Sequence, residues 1–180
     1  SSRWGYVSDG KFIFKGETRF PHSLGILYQA ITQFLGFLNY GDEYKVMGMA
    51  AYGKNIYSDK IKKLIKYIYP ASYELNLKYF SHHKSEFDYD WNNPNPNIPI
   101  IFNDDIIDLL GRPRLKNDKL NQYHYDIACS LQSVYTEILS KILIDIKSHT
   151  NVNKICISGG CALNSMANGD CFNQNIFDGF

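Results

Sequence analysis

The order of the elements predicted along the 180 residues indicates an α/β fold. A β-hairpin comes first, several helices follow, and a strand, a glycine turn and another helix come last. Hydrophobic residues make up 44% of the chain, which is enough to build a substantial core. The pattern therefore predicts a single α/β unit in which a second sheet begins near residue 153.

The N-terminal part of the sequence predicts a hairpin followed by a helix. Two β-rich runs, residues 4–8 and 12–18, flank Asp9-Gly10, a dipeptide typical of tight hairpin turns. Ser23 can cap a helix that continues to about residue 37, because apolar residues recur on one side of it. These apolar positions are Leu24, Leu27, Tyr28, Ile31, Phe34 and Leu35.

Two shorter helices are predicted next. Asp42 can cap a helix over residues 43–51, and Gly53 can end it. Ser58 can cap another over residues 59–68, which a proline stops. The apolar face of this last helix would consist of Ile61, Leu64, Ile65 and Ile68.

Residues 71–102 look irregular by comparison. Short strands are expected at 73–75 and 78–80. Residues 91–97 are expected to form a loop, because proline and asparagine favour turns over regular structure.

A short helix and a very long one follow this region. Asn103 is placed to cap a helix that ends at Leu110. Apolar residues then recur every three or four positions over residues 120–148, which predicts the longest helix of the chain with one buried face.

The stretch ICISGGCALNSMANGD, residues 155–170, predicts a strand, a tight turn and a helix. Residues 154–158 are short, apolar and β-rich, as in a buried strand. Gly159 and Gly160 allow a sharp turn and the close approach of a ligand to the backbone. A helix over residues 161–168 would point its free N–H groups at that turn, which favours an anion such as a phosphate. A tight connection without a ligand is the alternative.

Composition and motif searches exclude several classes of function. The net charge is +1 and the basic residues are scattered, so no strong field attracts nucleic acid or a membrane. No GxGxxG, GxxxxGK[ST], HExxH or GxSxG motif is present. The four cysteines form no CxxC pair and no apolar run approaches the length of a membrane span, so a reduced, cytoplasmic protein is expected.

Three polar clusters are candidates for chemistry. His22 could contact a phosphate or act as a general acid, or it could simply lie on the surface beside a capped helix. Glu43 and Lys45 could line a pocket, or they could be charged residues on the solvent-exposed face of a helix. A metal site is conceivable where two histidines precede three acids, although the spacing matches no standard site and solvated loop residues explain it as well. These residues are His82, His83, Glu86, Asp88 and Asp90.

Three stretches, taken together, resemble a known family. The first is RFPHSLG at 19–25 with EYKVMGMAAYG at 43–53, the second is DIACSLQ at 126–132, and the third is SGGCALN at 158–164 followed by ANG at 167–169. In this order and spacing the chain resembles the O-carbamoyltransferases of nodulation-factor and antibiotic biosynthesis over almost its whole length.

The resemblance implies a fold and a place within it. The family's fold is the duplicated, RNase-H-like core that actin, sugar kinases and chaperone ATPases share. Residues 1–180 would be one partial domain of it: the end of the first half, a helical insertion over about 23–148, and the start of the second half over about 153–180. The family's C-terminal adenylate-forming domain would lie outside this chain.

The resemblance also implies a reaction. Such enzymes use ATP and carbamoyl phosphate to make carbamoyl-adenylate, and then move the carbamoyl group to a hydroxyl of a sugar or an antibiotic. A divalent metal, typically iron, lies near the adenylate, and its ligands would be outside residues 1–180. The small-molecule partners would be these substrates and the acceptor, and residues 1–180 alone are expected to be inactive.

Residue by residue, the resemblance assigns a nucleotide site to the glycine turn. Gly159 and Gly160 match the glycines that approach the nucleotide phosphate, and Asn164 matches the asparagine at the start of the next helix. The EYKVMGMAAYG motif lies near the cleft in the family, whereas the histidine of RFPHSLG has no fixed role. Another actin-like ATP-binding enzyme, such as a sugar kinase, and a non-catalytic nucleotide-binding module are the alternatives.

Overall fold

The computed structural model describes residues 1–84 and 98–179. Within them, ten helices and strands follow one another in a mixed α/β order. They are β1 Ser2–Ser8, β2 Lys11–Thr18, α1 Leu24–Phe34, α2 Glu43–Ala50, α3 Ser58–Ile61, β3 Ile65–Ile68, β4 Ser72–Leu75, α4 Asp104–Leu110, α5 Gln122–Thr150 and α6 Ser165–Asn173.

The predicted N-terminal hairpin is confirmed. β1 and β2 pair antiparallel, and Ser8 lies opposite Lys11 across a two-residue turn. Both turn residues have positive φ, 51° at Asp9 and 74° at Gly10, as the tightest hairpin turns require. The register shifts between Trp4 and Gly5, where a bulge interrupts the ladder.

The first two predicted helices are present, but their predicted N-caps work differently. α1 ends at Phe34, earlier than expected, and the side chain of Ser23 makes no capping hydrogen bond. Instead, the Leu24 N–H is 3.4 Å from the hydroxyl of Tyr73. The side chain of Asp42 likewise does not cap α2, because its carboxylate accepts a hydrogen bond from the Asn39 N–H at 3.1 Å.

The helix predicted over residues 59–68 is wrong in its second half. After α3 and a 3-10 turn at Lys62–Leu64, the chain extends into β3, which pairs antiparallel with β4. Ile61 and Leu64 are buried at helical spacing, but the run Ile65–Ile68 is rich in β-branched and aromatic residues and finds a partner strand just beyond the turn.

Two further expectations in this region have opposite outcomes. The strand expected at 73–75 is confirmed as β4, whereas residues Leu77–Tyr79 form a 3-10 turn rather than a strand. Only an isolated bridge, between Phe80 and Phe102, follows that turn among the described residues. The loop predicted at 91–97 lies outside them.

α5 is the central element of the core. Residues from α1, α2 and α3 pack against its buried face. Asn103 caps α4 by accepting a hydrogen bond from the Asp105 N–H at 3.1 Å. Among the described residues one helix, Gln122–Thr150, is long and apolar enough to cross a membrane, but 61% of its most apolar window is buried inside the fold. Burial of this kind is typical of the central helix of a packed domain.

The strand predicted at 154–158 is extended but does not form a ladder within the described part of the chain. It makes one parallel bridge, between Lys154 and Gly179, supported by a 3.0 Å hydrogen bond from the Ile155 N–H to the Gly179 carbonyl. Ile155 and Ile157 are half-buried while Cys156 is exposed, so the segment alternates like a strand. The fold is therefore α/β with two small sheets; the duplicated actin-like core stays a prediction.

Two half-buried tyrosines, Tyr67 and Tyr123, predict a loss of stability at high pH. Burial raises the pKa of Tyr67 to about 12, and a hydrogen bond to the buried Asp145 carboxylate adds to the effect; burial likewise raises the pKa of Tyr123 to about 12. In the unfolded chain both hydroxyls ionise near pH 10.0, so the unfolded state loses protons first. Through these two hydroxyls, the free energy of unfolding should fall between pH 10.0 and about 12.

Urea unfolding at a series of pH values, with tyrosinate absorbance as a second readout, measures this. The double variant Tyr67→Phe, Tyr123→Phe should show a shallower decline over the same interval. An equal decline in both proteins would contradict the assignment to these two hydroxyls.

Candidate functional site

The Gly159–Gly160 corner is open to solvent on its backbone side. Gly159 has φ 102° and ψ 176°, a conformation essentially restricted to glycine. A Cβ built on either glycine would meet no atom within 4 Å. Among the described residues, the N–H groups of Gly160 and Cys161 have no hydrogen-bond partner. The corner therefore presents two free backbone donors to any ligand that approaches it.

The helix after the corner begins later than predicted. A 3-10 turn over Gly160–Leu163 follows the glycines, and α6 begins only at Ser165. Asn164 is the N-cap of α6, and its Oδ1 accepts a hydrogen bond from the Ala167 N–H at 3.0 Å. The position predicted for this asparagine, at a helix start beside the glycines, is thus found.

The side chain of Asn164 is directed into the protein. Its amide and that of Gln132 exchange two hydrogen bonds of 3.0 Å each. With Oδ1 also bound by the helix cap, most of the hydrogen-bonding capacity of this side chain is used internally. A direct contact between Asn164 and a nucleotide stays a prediction.

Glu43 belongs to the same site as the corner. It is the first residue of α2, is half-buried, and its carboxylate forms no hydrogen bond or ion pair with any described residue. Burial raises the pKa of the Tyr28 hydroxyl, and the nearby Glu43 charge adds to this. Ser165 Oγ lies 3.7 Å from Met47 Sδ, which brings α2 next to the start of α6. Burial raises the pKa of the Cys161 thiol and the Glu43 charge adds to this, so the unpaired carboxylate lies in the same neighbourhood as the corner.

Lys45, by contrast, is engaged within its own region of the chain. Its Nζ lies 2.6 Å from Asp42 Oδ1 and 5.5 Å from the centre of the Phe37 ring. The hydrogen bond that Lys45 donates to the Asp42 carboxylate raises the pKa of Lys45. None of these contacts involves the corner, so the structure does not bring Lys45 into the site through any interaction it shows.

His22 joins the loop before α1 to β4. Its Nδ1 accepts a hydrogen bond from the Leu75 N–H at 3.0 Å, so that nitrogen carries no proton in this arrangement. Beside it, His82 is 2.7 Å from the Pro21 carbonyl, and burial lowers the pKa of its imidazole. The described hydrogen bonds of His22 therefore serve the fold and do not reach the corner.

The metal hypothesis at His82 and His83 has no support in residues 1–84 and 98–179. In these ranges no three side chains of histidine, cysteine, aspartate or glutamate are arranged to hold a metal ion. The Nδ1 atoms of His82 and His83 are buried and have no hydrogen-bond partner in the described part of the chain. The acidic residues Glu86, Asp88 and Asp90 of the original hypothesis lie outside the described residues.

Several residues of the site were not identified from the sequence. Gln132 and Tyr135 from α5 hold the segment after the glycines, because Tyr135 donates to the Cys161 carbonyl at 2.9 Å. The Cys161 thiol lies against the backbone of Gly25, and burial raises its pKa even though the residue as a whole is exposed. A glutamine within the apolar periodicity of α5 was the available signal.

A groove of about 1030 Å³ runs from β1 to the corner. β1 and the extended segment after α5 form its sides, and the corner residues Gly159, Gly160 and Cys161 close one end. Apolar residues of α5 form its floor: Leu139, Ile142, Leu143 and Ile146. The corner backbone therefore opens into the groove, whose lining also carries polar side chains away from the corner, Arg3, Asn153 and Lys154 among them.

Comparison with known proteins identifies the family to which this arrangement belongs. The family model described as the carbamoyltransferase N-terminus matches residues 2–180. An uncharacterized protein of Synechocystis sp. is 32% identical over 163 residues, which cover 89% of this chain and 24% of that protein.

Two nodulation proteins are also similar. The nodulation protein NolO of Bradyrhizobium diazoefficiens is 26% identical over 161 residues, covering 87% of this chain and 24% of that protein. The nodulation protein NolNO of Sinorhizobium fredii is 26% identical over 161 residues, covering 88% of this chain and 20% of that protein. The chain thus spans about a quarter, or less, of the length of these relatives.

Proposed function

Because the chain belongs to the carbamoyltransferase N-terminus family, we propose that it forms part of an O-carbamoyltransferase. In this proposal the whole protein uses ATP and carbamoyl phosphate to form carbamoyl-adenylate. It then transfers the carbamoyl group to a hydroxyl of a sugar or antibiotic-like acceptor. Residues 1–180 supply a nucleotide-binding part of the site and are inactive by themselves.

The open Gly159–Gly160 corner is the observation that carries the proposal. Backbone N–H groups without internal partners bind anionic oxygens well, since no protein hydrogen bond has to be broken first. The absence of a Cβ at both positions lets a phosphate come close to the main chain. The residues present therefore fit a nucleotide phosphate.

Glu43 complements the corner because it offers hydrogen-bond acceptors, whereas the corner offers donors. A carboxylate repels phosphate oxygens and accepts hydrogen bonds from hydroxyl or amino groups. Its lack of an internal donor among the described residues leaves it available for a ligand. The pair of features would orient a bound nucleotide, with its phosphate at the corner and a donor group at Glu43.

Within the described residues, no three histidine, cysteine, aspartate or glutamate side chains are arranged to hold a metal ion. The family resemblance supplies the expectation of a divalent ion, iron in particular, whose role would be to stabilise charge at the carbamoyl carbonyl. The cytoplasm is the compartment we propose, because all four cysteines are free thiols.

Replacing Glu43 by glutamine tests the site. In the intact protein, Glu43→Gln should weaken ATP binding about tenfold, since a hydrogen bond to a charged group contributes about 1.5–3 kcal/mol. The thermal midpoint should stay unchanged, because the Glu43 carboxylate forms no bond with any described residue. Titration calorimetry and thermal unfolding measure the two quantities.

Glu74→Gln on the exposed side of β4 is the matched control and should change neither quantity. Product analysis with carbamoyl phosphate, ATP and a sugar acceptor then distinguishes a carbamoyltransferase from the two alternative functions. Carbamoylated acceptor supports the proposal, and phosphorylated acceptor indicates a kinase-like enzyme. ATP binding without product indicates a nucleotide-binding module.

A further inference from the structure

Gln132 is a buried polar residue of α5 to which the proposed function gives no role. It is 4% exposed and lies in the main core. Its amide faces that of Asn164, and each donates one hydrogen bond to the other at 3.0 Å. Because each amide supplies one donor and one acceptor, the pair is satisfied in a single relative orientation. Gln132 therefore fixes the Asn164 amide together with the Ala167 N–H, which binds the same oxygen.

Two tyrosines complete this network. Tyr28 of α1 donates to Gln132 Oε1 at 2.9 Å, and its ring packs edge-on against that of Tyr135, 5.5 Å away. Tyr135 in turn donates to the Cys161 carbonyl at 2.9 Å. Neighbouring positions on one face of α5 thus hold the segment after the glycines at two points, Cys161 and Asn164.

These two attachment points lie directly after the backbone N–H groups that would meet the ligand. The free N–H groups belong to Gly160 and Cys161, and the 3-10 turn between Gly160 and Leu163 lies between the glycines and Asn164. Apolar packing alone could bury this segment, but it would not set its rotation. A fully satisfied hydrogen-bond network in a core specifies one arrangement.

We infer that Gln132 is a positioning residue of the nucleotide site, acting with Tyr28 and Tyr135 to aim the N–H groups of Gly160 and Cys161. The inference rests on the proposed function. This role also accounts for the glutamine that ends the DIACSLQ stretch at residues 126–132. The remaining polar residues there, Asp126 and Ser130, accept hydrogen bonds from the Lys54 and Tyr57 N–H groups, so the same helix also holds the loop after α2.

Gln132→Glu gives a readout that a merely structural role would not change. An ionised carboxylate accepts from Tyr28 and from Asn164 Nδ2, but it cannot donate to Asn164 Oδ1. A protonated carboxyl can do both and so mimics the glutamine. Burial raises the pKa of such a carboxyl by up to about 3–5 units, which places its titration near neutrality.

We therefore expect pH-dependent ATP binding in Gln132→Glu. With ATP and Mg²⁺ as the probe, its affinity should be at least about tenfold below that of the unmodified protein at alkaline pH and should recover as the pH is lowered. The titratable groups facing this position are Tyr28, Tyr135, Cys161 and Glu43. Burial raises the pKa of the first three above their ordinary values, and Glu43 is common to both proteins.

Ser140→Ala is the matched control. Ser140 lies further along α5, where its Oγ is 3.3 Å from Cys171 Sγ and accepts a hydrogen bond from Gln174 Nε2 at 3.0 Å. The change removes buried contacts between α5 and the end of α6 without touching the corner. It should lower the thermal midpoint and leave ATP affinity within about twofold. Tyr28→Phe, which keeps the amide pair, should weaken ATP binding by about threefold.

Equal ATP affinity of Gln132→Glu and the unmodified protein at every pH would overturn the inference, as would a loss that does not vary with pH. If the unmodified protein binds no ATP, the proposed function fails instead. The positioning role is then decided by hydrogen exchange at the Ala162 and Ala167 amides, which are bound to Gly159 O and Asn164 Oδ1. The role is supported if, at the same alkaline pH, these amides exchange faster in Gln132→Glu than in the unmodified protein, while Ser140→Ala exchanges at the unmodified rate. Exchange in Gln132→Glu equal to that of the unmodified protein overturns it.

Discussion

Gly159→Ala is expected to abolish tight nucleotide binding and to lower stability as well. At φ 102° and ψ 176° an alanine is strained by about 1–3 kcal/mol, and the corner relaxes to relieve that strain. Relaxation turns the N–H groups of Gly160 and Cys161 away from a common ligand. Losing one or two hydrogen bonds to a charged phosphate weakens ATP binding by about tenfold to a hundredfold or more. Titration calorimetry with ATP measures the loss.

Gly160→Ala tests whether a phosphate can reach the main chain at the same corner, without introducing backbone strain. Gly160 does not have positive φ, and a Cβ there meets no atom within 4 Å, so stability should change by less than about 0.5 kcal/mol. The added methyl group nevertheless stands where a phosphate would approach, so ATP affinity should fall. Gly169→Ala, in the equally open surface of α6, should leave ATP affinity unchanged. Normal ATP binding by both Gly159→Ala and Gly160→Ala would contradict the assignment of the phosphate to this corner.

The second large effect is expected for Gly53→Ala, as a loss of folding stability. A Cβ at this position would lie 1.9 Å from the carbonyl oxygen of Tyr125 and 2.7 Å from the Cβ of Cys129. Both obstacles belong to α5, and the first is backbone, which cannot move aside as a flexible side chain can. The end of the α2 segment must therefore shift away from α5. We expect a loss of about 3 kcal/mol or more, measured as the free energy of unfolding in urea.

Gly48→Ala is the control for this substitution. Gly48 lies within α2, and a Cβ there meets nothing within 4 Å. Alanine is a better helix former than glycine, so this variant should be as stable as the unmodified protein or more stable by up to about 1 kcal/mol. If Gly53→Ala unfolds at the same urea concentration as Gly48→Ala, the close packing of α2 against α5 is not a feature of the folded protein.

The contrast between these glycines shows how the EYKVMGMAAYG stretch works. Its first residue, Glu43, lies near enough to the candidate site for its charge to act on Cys161, and its last, Gly53, lets the chain approach α5 closely. The Lys54 N–H then donates to Asp126 at 2.7 Å, which fixes the loop to the same helix. The spacing within the stretch therefore places a carboxylate at the site and a close contact at the other end of α2.

Local chemistry in the sequence was sufficient for much of the fold. Asp9-Gly10 predicts the hairpin because both residues accept positive φ. The apolar periodicity of α5 predicts its length to within two residues at each end, and Asn103 predicts the start of α4 through a cap that forms as expected. The sharp glycine turn was also predicted, because residues without a Cβ allow such a turn after an apolar run. Each of these features depends on residues close to one another along the chain.

Contacts between distant residues decided the rest. Residues 65–68 are a strand because β4 lies across a turn, although their apolar spacing suits a helix equally well. Lys45 is held by Asp42, whereas Glu43, two positions earlier, is left unpaired among the described residues. The pairing of Gln132 with Asn164 joins positions 32 residues apart, so no local pattern could reveal it. The sequence by itself determined where the chain turns, coils and exposes backbone. Only the tertiary structure decided which polar groups are used internally and which remain free for a ligand, because those choices depend on partners that folding alone brings together.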